Sequence, residues 1–190
     1  MKDPLVKGHP LHAMLSDLPV GTTVAGVVFD ILASATRSEH WRFAATASFG
    51  TAFLSGGLAA LVGFWDYQSV PPDHPARRTG ALHGYLNAGA LVLLGLTVAT
   101  RTSEKTARAA GAADRPPSRA SRLLPLLVLT LLTASGWLGG ELVFKLGWRV
   151  LPAEHAEKLE ADLRRSGDQL RIDKAHTAVL EYEHSHALVP

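Results

Sequence analysis

Four long apolar blocks, separated by charged or proline-rich stretches, constrain this chain more than any other feature of its sequence. A helix needs about 20 mainly apolar residues to cross the hydrocarbon core of a bilayer, and each block is long enough to do so. The chain is 47% hydrophobic and 19% charged, and this block pattern is typical of membrane spans rather than of a soluble fold. The sequence therefore predicts an all-α, four-transmembrane-helix bundle in the lipid bilayer, with spans at residues 11–33, 41–65, 79–100 and 123–146.

The character of the chain changes after the fourth apolar block. Residues 1–150 are predicted to form the four-helix transmembrane domain, and residues 151–190 a C-terminal amphipathic helix and tail. Leu159 and Leu163 lie on one stripe of that helix, which covers residues 153–170. His184 and His186 have the spacing of a metal-binding pair, but in a terminal tail a metal site is the less favoured interpretation.

Charge and cysteine usage exclude several classes of function. The formal net charge of +2 is too small to indicate nucleic-acid binding. The absence of cysteine excludes disulfides, thiolate metal sites and haem attached through a Cys-x-x-Cys-His motif. Basic residues are more frequent in the first and third loops, which predicts that these loops face the cytoplasm and that both termini lie outside the bacterial cytoplasmic membrane. We recognise no cleavage site for a signal peptide after the first apolar run.

Small residues recur at helical spacing inside the spans. Ala59 and Gly63 are one such pair, and Gly136 and Gly140 form a Gly-x-x-x-Gly pair. Residues of this size let helix backbones approach closely in lipid. We interpret them as packing residues of the bundle, and they also permit a homodimer.

Polar residues concentrate at one end of the predicted bundle. Because the spans alternate in direction, the starts of the first and third and the ends of the second and fourth lie on one membrane face. Polar groups are costly at membrane depth, so their clustering predicts a site. The residues at this end are His9, His12, Asp17, Asp66, His83, Asn87 and Glu141.

One interpretation of this end is a b-type haem site used for electron transfer. His12 and His83 each lie about one turn inside a span, on two parallel helices, and suit the two axial positions of a haem iron. Glycines on the facing stripes would make room for the macrocycle. His9 and Asn87 are further candidates for cofactor binding, and Asp66 and Glu141 are supporting groups.

Other interpretations use the same residues. A divalent metal ion without haem would be held by His9 and His12, with Asp66, His83 or Glu141 completing its ligands. The carboxylates and histidines also suit a proton relay. In a third alternative the protein is a non-catalytic membrane anchor or interaction module whose polar end holds the helices together.

A structural interpretation stands beside each candidate residue. The chain has no phosphate-binding glycine loop, nucleophile elbow or His-Glu-x-x-His motif, so a redox or structural membrane subunit is favoured over a stand-alone enzyme. In these interpretations His9 lies at the membrane interface and Asp66 bonds to Arg77 or Arg78. Glu141 pairs with Lys145, and Asp17 bonds to backbone groups freed by Pro19.

Several strings of the chain together resemble a known family. Gly8-His9-Pro10-Leu11-His12-Ala13-Met14-Leu15 is followed by Pro19, Gly21 and Asp30, then by Gly63-Phe64-Trp65-Asp66-Tyr67, Arg77-Arg78, Leu82-His83 and Ser135-Gly136-Trp137-Leu138-Gly139-Gly140-Glu141-Leu142-Val143. Over residues 8–150 the chain resembles the predicted bacterial membrane proteins catalogued as domain of unknown function 2231. The resemblance implies a four-helix membrane bundle of unassigned activity. Some members are joined to Rieske-type iron–sulfur or other redox domains, which implies a redox protein as partner.

Overall fold

The computed structural model describes residues 5–6, 9–111, 117–149, 151–167, 169–171, 173–174 and 177. His184 and His186 lie outside these residues. Two short antiparallel strands, β1 Leu5–Val6 and β2 His9–Pro10, precede the first helix. The helices are α1 Leu11–Thr36, α2 Glu39–Gln68, α3 Ala76–Ala109, α4 Arg119–Phe144 and α5 Leu151–Ser166. The predicted all-α bundle of four long apolar helices is confirmed, as is a C-terminal helix.

The helices α1 to α4 are each long and apolar enough to cross a membrane. Their outer surface carries large apolar side chains, among them Trp137, 74% exposed, and Phe144, 88% exposed. Apart from the ring of Phe49, the interior is built from small and medium-sized apolar side chains, namely Ala45, Ala52, Ala90, Leu94 and Val128. Large side chains outside and small ones between the helices suit a bundle that is surrounded by lipid.

The four long helices are arranged as two helical hairpins. α1 packs along α2 and α3 along α4, α2 packs along α3, and α1 makes a smaller contact with α4. Successive helices run in opposite directions, so α1 and α3 are parallel and lie diagonally across the bundle. Side chains at the same level of α1 and α3 therefore meet in its centre.

The third helix is longer than its apolar block. It continues beyond the predicted end at Thr100 to Ala109, and its 34 residues correspond to about 51 Å, against a hydrocarbon core of about 30 Å. Hydropathy marks where a chain leaves the membrane, whereas a helix ends where its backbone hydrogen bonding ends. The assignment of Arg101 to a loop was therefore wrong, because this residue lies inside α3.

The chain divides into two compact units, Met1–Leu146 and Gly147–Pro190. The first contains the four long helices. The second contains α5, on which Arg164 pairs with Glu160 and Arg165 with Asp162 within the helix. Such exposed intrahelical pairs stabilise a helix only slightly.

Candidate functional site

His12 lies at the start of α1 with its ring against α2. Its Nδ1 is 2.9 Å from the carbonyl oxygen of Ala59. A carbonyl oxygen only accepts hydrogen bonds, so Nδ1 is the donor, and Nε2 is the ring nitrogen that would serve as a ligand in the neutral ring. Gly63 makes room for this ring, because a Cβ at that position would lie 2.6 Å from Nδ1 of His12. The glycine is therefore required for the approach of the imidazole.

His83 occupies the corresponding place at the start of α3, with its ring against α4. Its Nδ1 is 2.9 Å from the carbonyl oxygen of Ser135, so this nitrogen is also the protonated one. The Ser135 hydroxyl lies 3.0 Å from the same nitrogen. Nε2 is unprotonated and accepts from the amide of Asn87 at 3.0 Å. Gly139 lies against the ring, since a Cβ there would be 3.3 Å from Cε1.

The two imidazoles meet in the centre of the bundle. Their ring centroids are 5.9 Å apart and the rings are nearly perpendicular, at 87°. Both rings have the hydrogen bond from Nδ1 to a carbonyl that metal-ligating histidines commonly make, which fixes the tautomer with Nε2 as the available ligand. Two imidazoles at this distance, each held by a bond from Nδ1, have the chemistry of a two-histidine ligand site.

The other residues predicted for this end are not assembled around the imidazoles in one cluster. His9 lies exposed in β2, before the helix begins, so helical spacing does not relate it to His12. Glu141 pairs with Lys145 at 3.2 Å, as in its structural interpretation. Asp17 is exposed, and Asp66 is buried at the end of α2.

A divalent metal ion requires more donors than two imidazoles. Structural and catalytic zinc sites, for example, use about three or four protein ligands. Within the described parts of the chain, no three histidine, cysteine, aspartate or glutamate residues are grouped so that they could hold a metal ion. The groups that the structure brings together at this end are His12, His83 and Asn87, with the carbonyl and hydroxyl of Ser135.

Sequence reasoning missed a second polar centre at the opposite end of the bundle. Arg101 forms an ion pair with Asp30 of α1 and donates to the carbonyl of Ser121 of α4 at 2.9 Å. Its guanidinium lies 4.8 Å from the centre of the Phe49 ring on α2. Only 7% of the Arg101 side chain is exposed. This one side chain therefore touches the three other long helices. The signal that could have revealed it was the charge of Asp30 inside an apolar span.

Fold and site together define a four-span integral membrane protein with a pair of imidazoles at one end and a buried ion pair at the other. The chain belongs to the family described as predicted membrane protein (DUF2231), whose model matches residues 8–152. The family resemblance drawn from the sequence is thereby confirmed. No curated protein and no solved structure matches the chain.

Proposed function

We propose that the protein is an electron-transfer subunit of the membrane in which His12 and His83 bind a b-type haem. The observation that carries this proposal is that the two imidazole rings make the same hydrogen bond. Each donates from Nδ1 to a backbone carbonyl of the neighbouring helix, at 2.9 Å in both cases. That bond leaves Nε2 as the ligand atom and holds the ring in one orientation.

The number of imidazoles suits haem better than it suits a bare metal ion. A porphyrin would supply most of the ligands of a bound haem iron, and His12 and His83 would complete them. The two ring centroids lie 5.9 Å apart, which supports one group held by both histidines.

The residues around the rings have separate tasks in this proposal. The carbonyls of Ala59 and Ser135 keep the Nδ1 proton in place, and Gly63 and Gly139 admit the rings rather than a macrocycle. Asn87 holds the lone pair of His83 Nε2 and has to release it before that nitrogen can bind a metal. A bound haem would supply one-electron chemistry at these two histidines, with a redox protein partner as the source of the electron.

The occupied Nε2 of His83 favours a second candidate function. The hydrogen bonds of the two histidines join α1 to α2 and α3 to α4. A network of this kind can serve only to hold the helices together. In that case the protein is a non-catalytic membrane anchor or interaction module.

Asparagine variants separate the two functions. In His12→Asn and His83→Asn the side-chain amide keeps a donor near the position of Nδ1 but loses the Nε2 ligand. Absorption spectra of detergent-purified protein, expressed with ample haem, are recorded before and after dithionite. We expect wild type to show sharp absorption bands on reduction. The haem content per protein of each asparagine variant should be at least about tenfold lower than that of wild type.

His40→Ala is the matched control, because His40 is an exposed histidine at the start of α2. It should retain the wild-type spectrum. A featureless spectrum from well-folded wild type would overturn the haem proposal and favour the anchor. Elemental analysis of the same sample would then show whether a divalent metal is bound instead. Haem that persists in the asparagine variants would contradict the two assigned ligands.

A further inference from the structure

We infer that the protein consists of two copies of one helical hairpin, related by an approximate twofold axis, and that the Asp30–Arg101 ion pair directs the two copies to pair with each other. The first copy is α1 with α2 and the second is α3 with α4. This inference does not depend on whether a cofactor is bound. It rests on matching sequence, matching hydrogen bonds and matching burial.

The sequence match lies at the start of the two parallel helices. Leu11-His12-Ala13-Met14-Leu15-Ser16 of α1 corresponds to Leu82-His83-Gly84-Tyr85-Leu86-Asn87 of α3. Leucine, histidine, a small residue and leucine recur in the same order, and a polar residue follows in both. The match is too short to define a repeat by itself, and the geometry has to support it.

The hydrogen bonds of the two histidines provide that support. His12 bonds to the carbonyl of Ala59 and lies against Gly63, while His83 bonds to the carbonyl of Ser135 and lies against Gly139. In both hairpins the glycine follows the accepting residue by four positions. The same ring contact is therefore built twice, from the same parts.

The buried residues also correspond. With His12 aligned on His83, the interior positions of α1 and α3 match as Pro19 and Ala90, Thr23 and Leu94, and Gly26 and Thr97. With Gly63 aligned on Gly139, all the buried residues of α4 match buried residues of α2, as Ala45 and Ser121, Phe49 and Pro125, Ala52 and Val128, and Ala59 and Ser135. The two hairpins bury the same faces.

The two copies are related by an axis that runs along the bundle, because α1 and α3 are parallel. Equivalent residues of α1 and α3 meet at this axis, as the rings of His12 and His83 do. The symmetry is approximate, since α2 packs along α3 more extensively than α1 packs along α4.

The ion pair is the second contact between equivalent positions. Asp30 and Arg101 are 71 residues apart, and the same interval separates His12 from His83. Two identical hairpins would place two like charges at this level of the axis, which is unfavourable in a buried site. Opposite charges at one position favour the pairing of unlike halves over the pairing of like halves.

A charge exchange in the full chain tests this inference. Asp30→Arg and Arg101→Asp each place like charges at the axis, whereas the double variant restores an ion pair with the two residues exchanged. In the double variant the arginine at position 30 would find the carbonyl of Ala45, the counterpart of Ser121, as its backbone acceptor. It would have no aromatic ring beside it, because Pro125 is the counterpart of Phe49. We expect the double variant to recover at least about half of the Tm loss of the less stable single variant.

The exchange of the exposed pair Asp162 and Arg165, which lie on one helix, is the matched control and should leave Tm nearly unchanged. If neither single variant yields folded protein, recovery of the double variant alone still supports the inference. A double variant no more stable than the single variants overturns it.

The other end of the axis provides an independent variant pair. Ser16 and Asn87 are equivalent positions, and Ser16→Asn with Asn87→Ser should move the amide from the ring of His83 to that of His12. An amide contact to His12, seen in the nitrogen-15 spectrum of the imidazoles, supports the equivalence. An amide that reaches neither ring contradicts it.

Discussion

Asp30 and Arg101 form an ion pair between the first and third helices, at the end of the bundle opposite the two histidines. The guanidinium is almost completely enclosed, whereas 25% of the Asp30 side chain is exposed. Among the residues that the structure describes, Nε of Arg101 has no hydrogen-bond partner. The arrangement therefore depends on the carboxylate of Asp30, the carbonyl of Ser121 and the ring of Phe49.

Removal of one partner should cost more than removal of both. Arg101→Met leaves the Asp30 carboxylate without its cation, and breaking a buried pair typically costs about 3–5 kcal/mol. The partial exposure of Asp30 places the expected loss at the lower end of that range. Asp30→Asn with Arg101→Met should be more stable than Arg101→Met alone. Thermal unfolding in detergent measures this, and equal stability of the two variants would contradict the role of the pair.

Gly63 should tolerate no side chain. In Gly63→Ala the new Cβ would lie 2.6 Å from the ring of His12, so the ring must move and its bond to Ala59 is weakened. Gly57→Ala is the control, because no atom of another helix in the described part of the chain lies within 4 Å of a Cβ at that position. Alanine in place of an unconstrained helical glycine stabilises by roughly 0.5–1 kcal/mol. We expect Gly63→Ala to lower Tm and Gly57→Ala to raise it. If the two variants are equally stable, the contact between Gly63 and His12 is disproved.

Asn87→Ala should ease ligand binding at His83. The amide of Asn87 competes for the lone pair of Nε2, so its removal frees this nitrogen while the bond from Nδ1 to Ser135 remains. If the proposed haem site is correct, haem content should stay the same or rise. Titration of haem into detergent-purified apoprotein measures this, and weaker binding would indicate that Asn87 supports the cofactor instead.

Glu141→Gln should have little effect on stability or on the proposed cofactor. Its partner Lys145 directly follows the last residue of α4, and 67% of the lysine side chain is exposed. Exposed pairs of this kind contribute about 0–1 kcal/mol. We expect Tm and the absorption spectrum to remain near those of wild type. Loss of the haem absorption bands in Glu141→Gln would show that Glu141 takes part in cofactor binding.

Hydropathy was sufficient to predict the four helices and the end of the bundle where the histidines meet. His12 and His83 could be paired because each follows the start of a span and alternating spans bring these starts together. The contacts to Ala59 and Ser135 could not be predicted, since a backbone carbonyl accepts a bond at any residue. Only the packed helices determine which carbonyl is near.

The ion pair was missed for a different physical reason. Arg101 follows the apolar block, and the polar residues after it were interpreted as a loop, although they continue the helix to Ala109. The interval between Asp30 and Arg101, equal to that between His12 and His83, was available in the sequence. It acquires meaning only when the two hairpins are compared position by position.

The distance along the chain between Asp30 and Arg101 also has a consequence for biogenesis. When a ribosome has delivered only α1 and α2 to the membrane, the carboxylate of Asp30 lacks the guanidinium of Arg101. Arg101 arrives only with the third span. The ion pair of Asp30 can therefore form only after translation of the second hairpin has begun. A chain that stops after α2 would leave this acidic group exposed to the machinery that recognises unassembled membrane proteins.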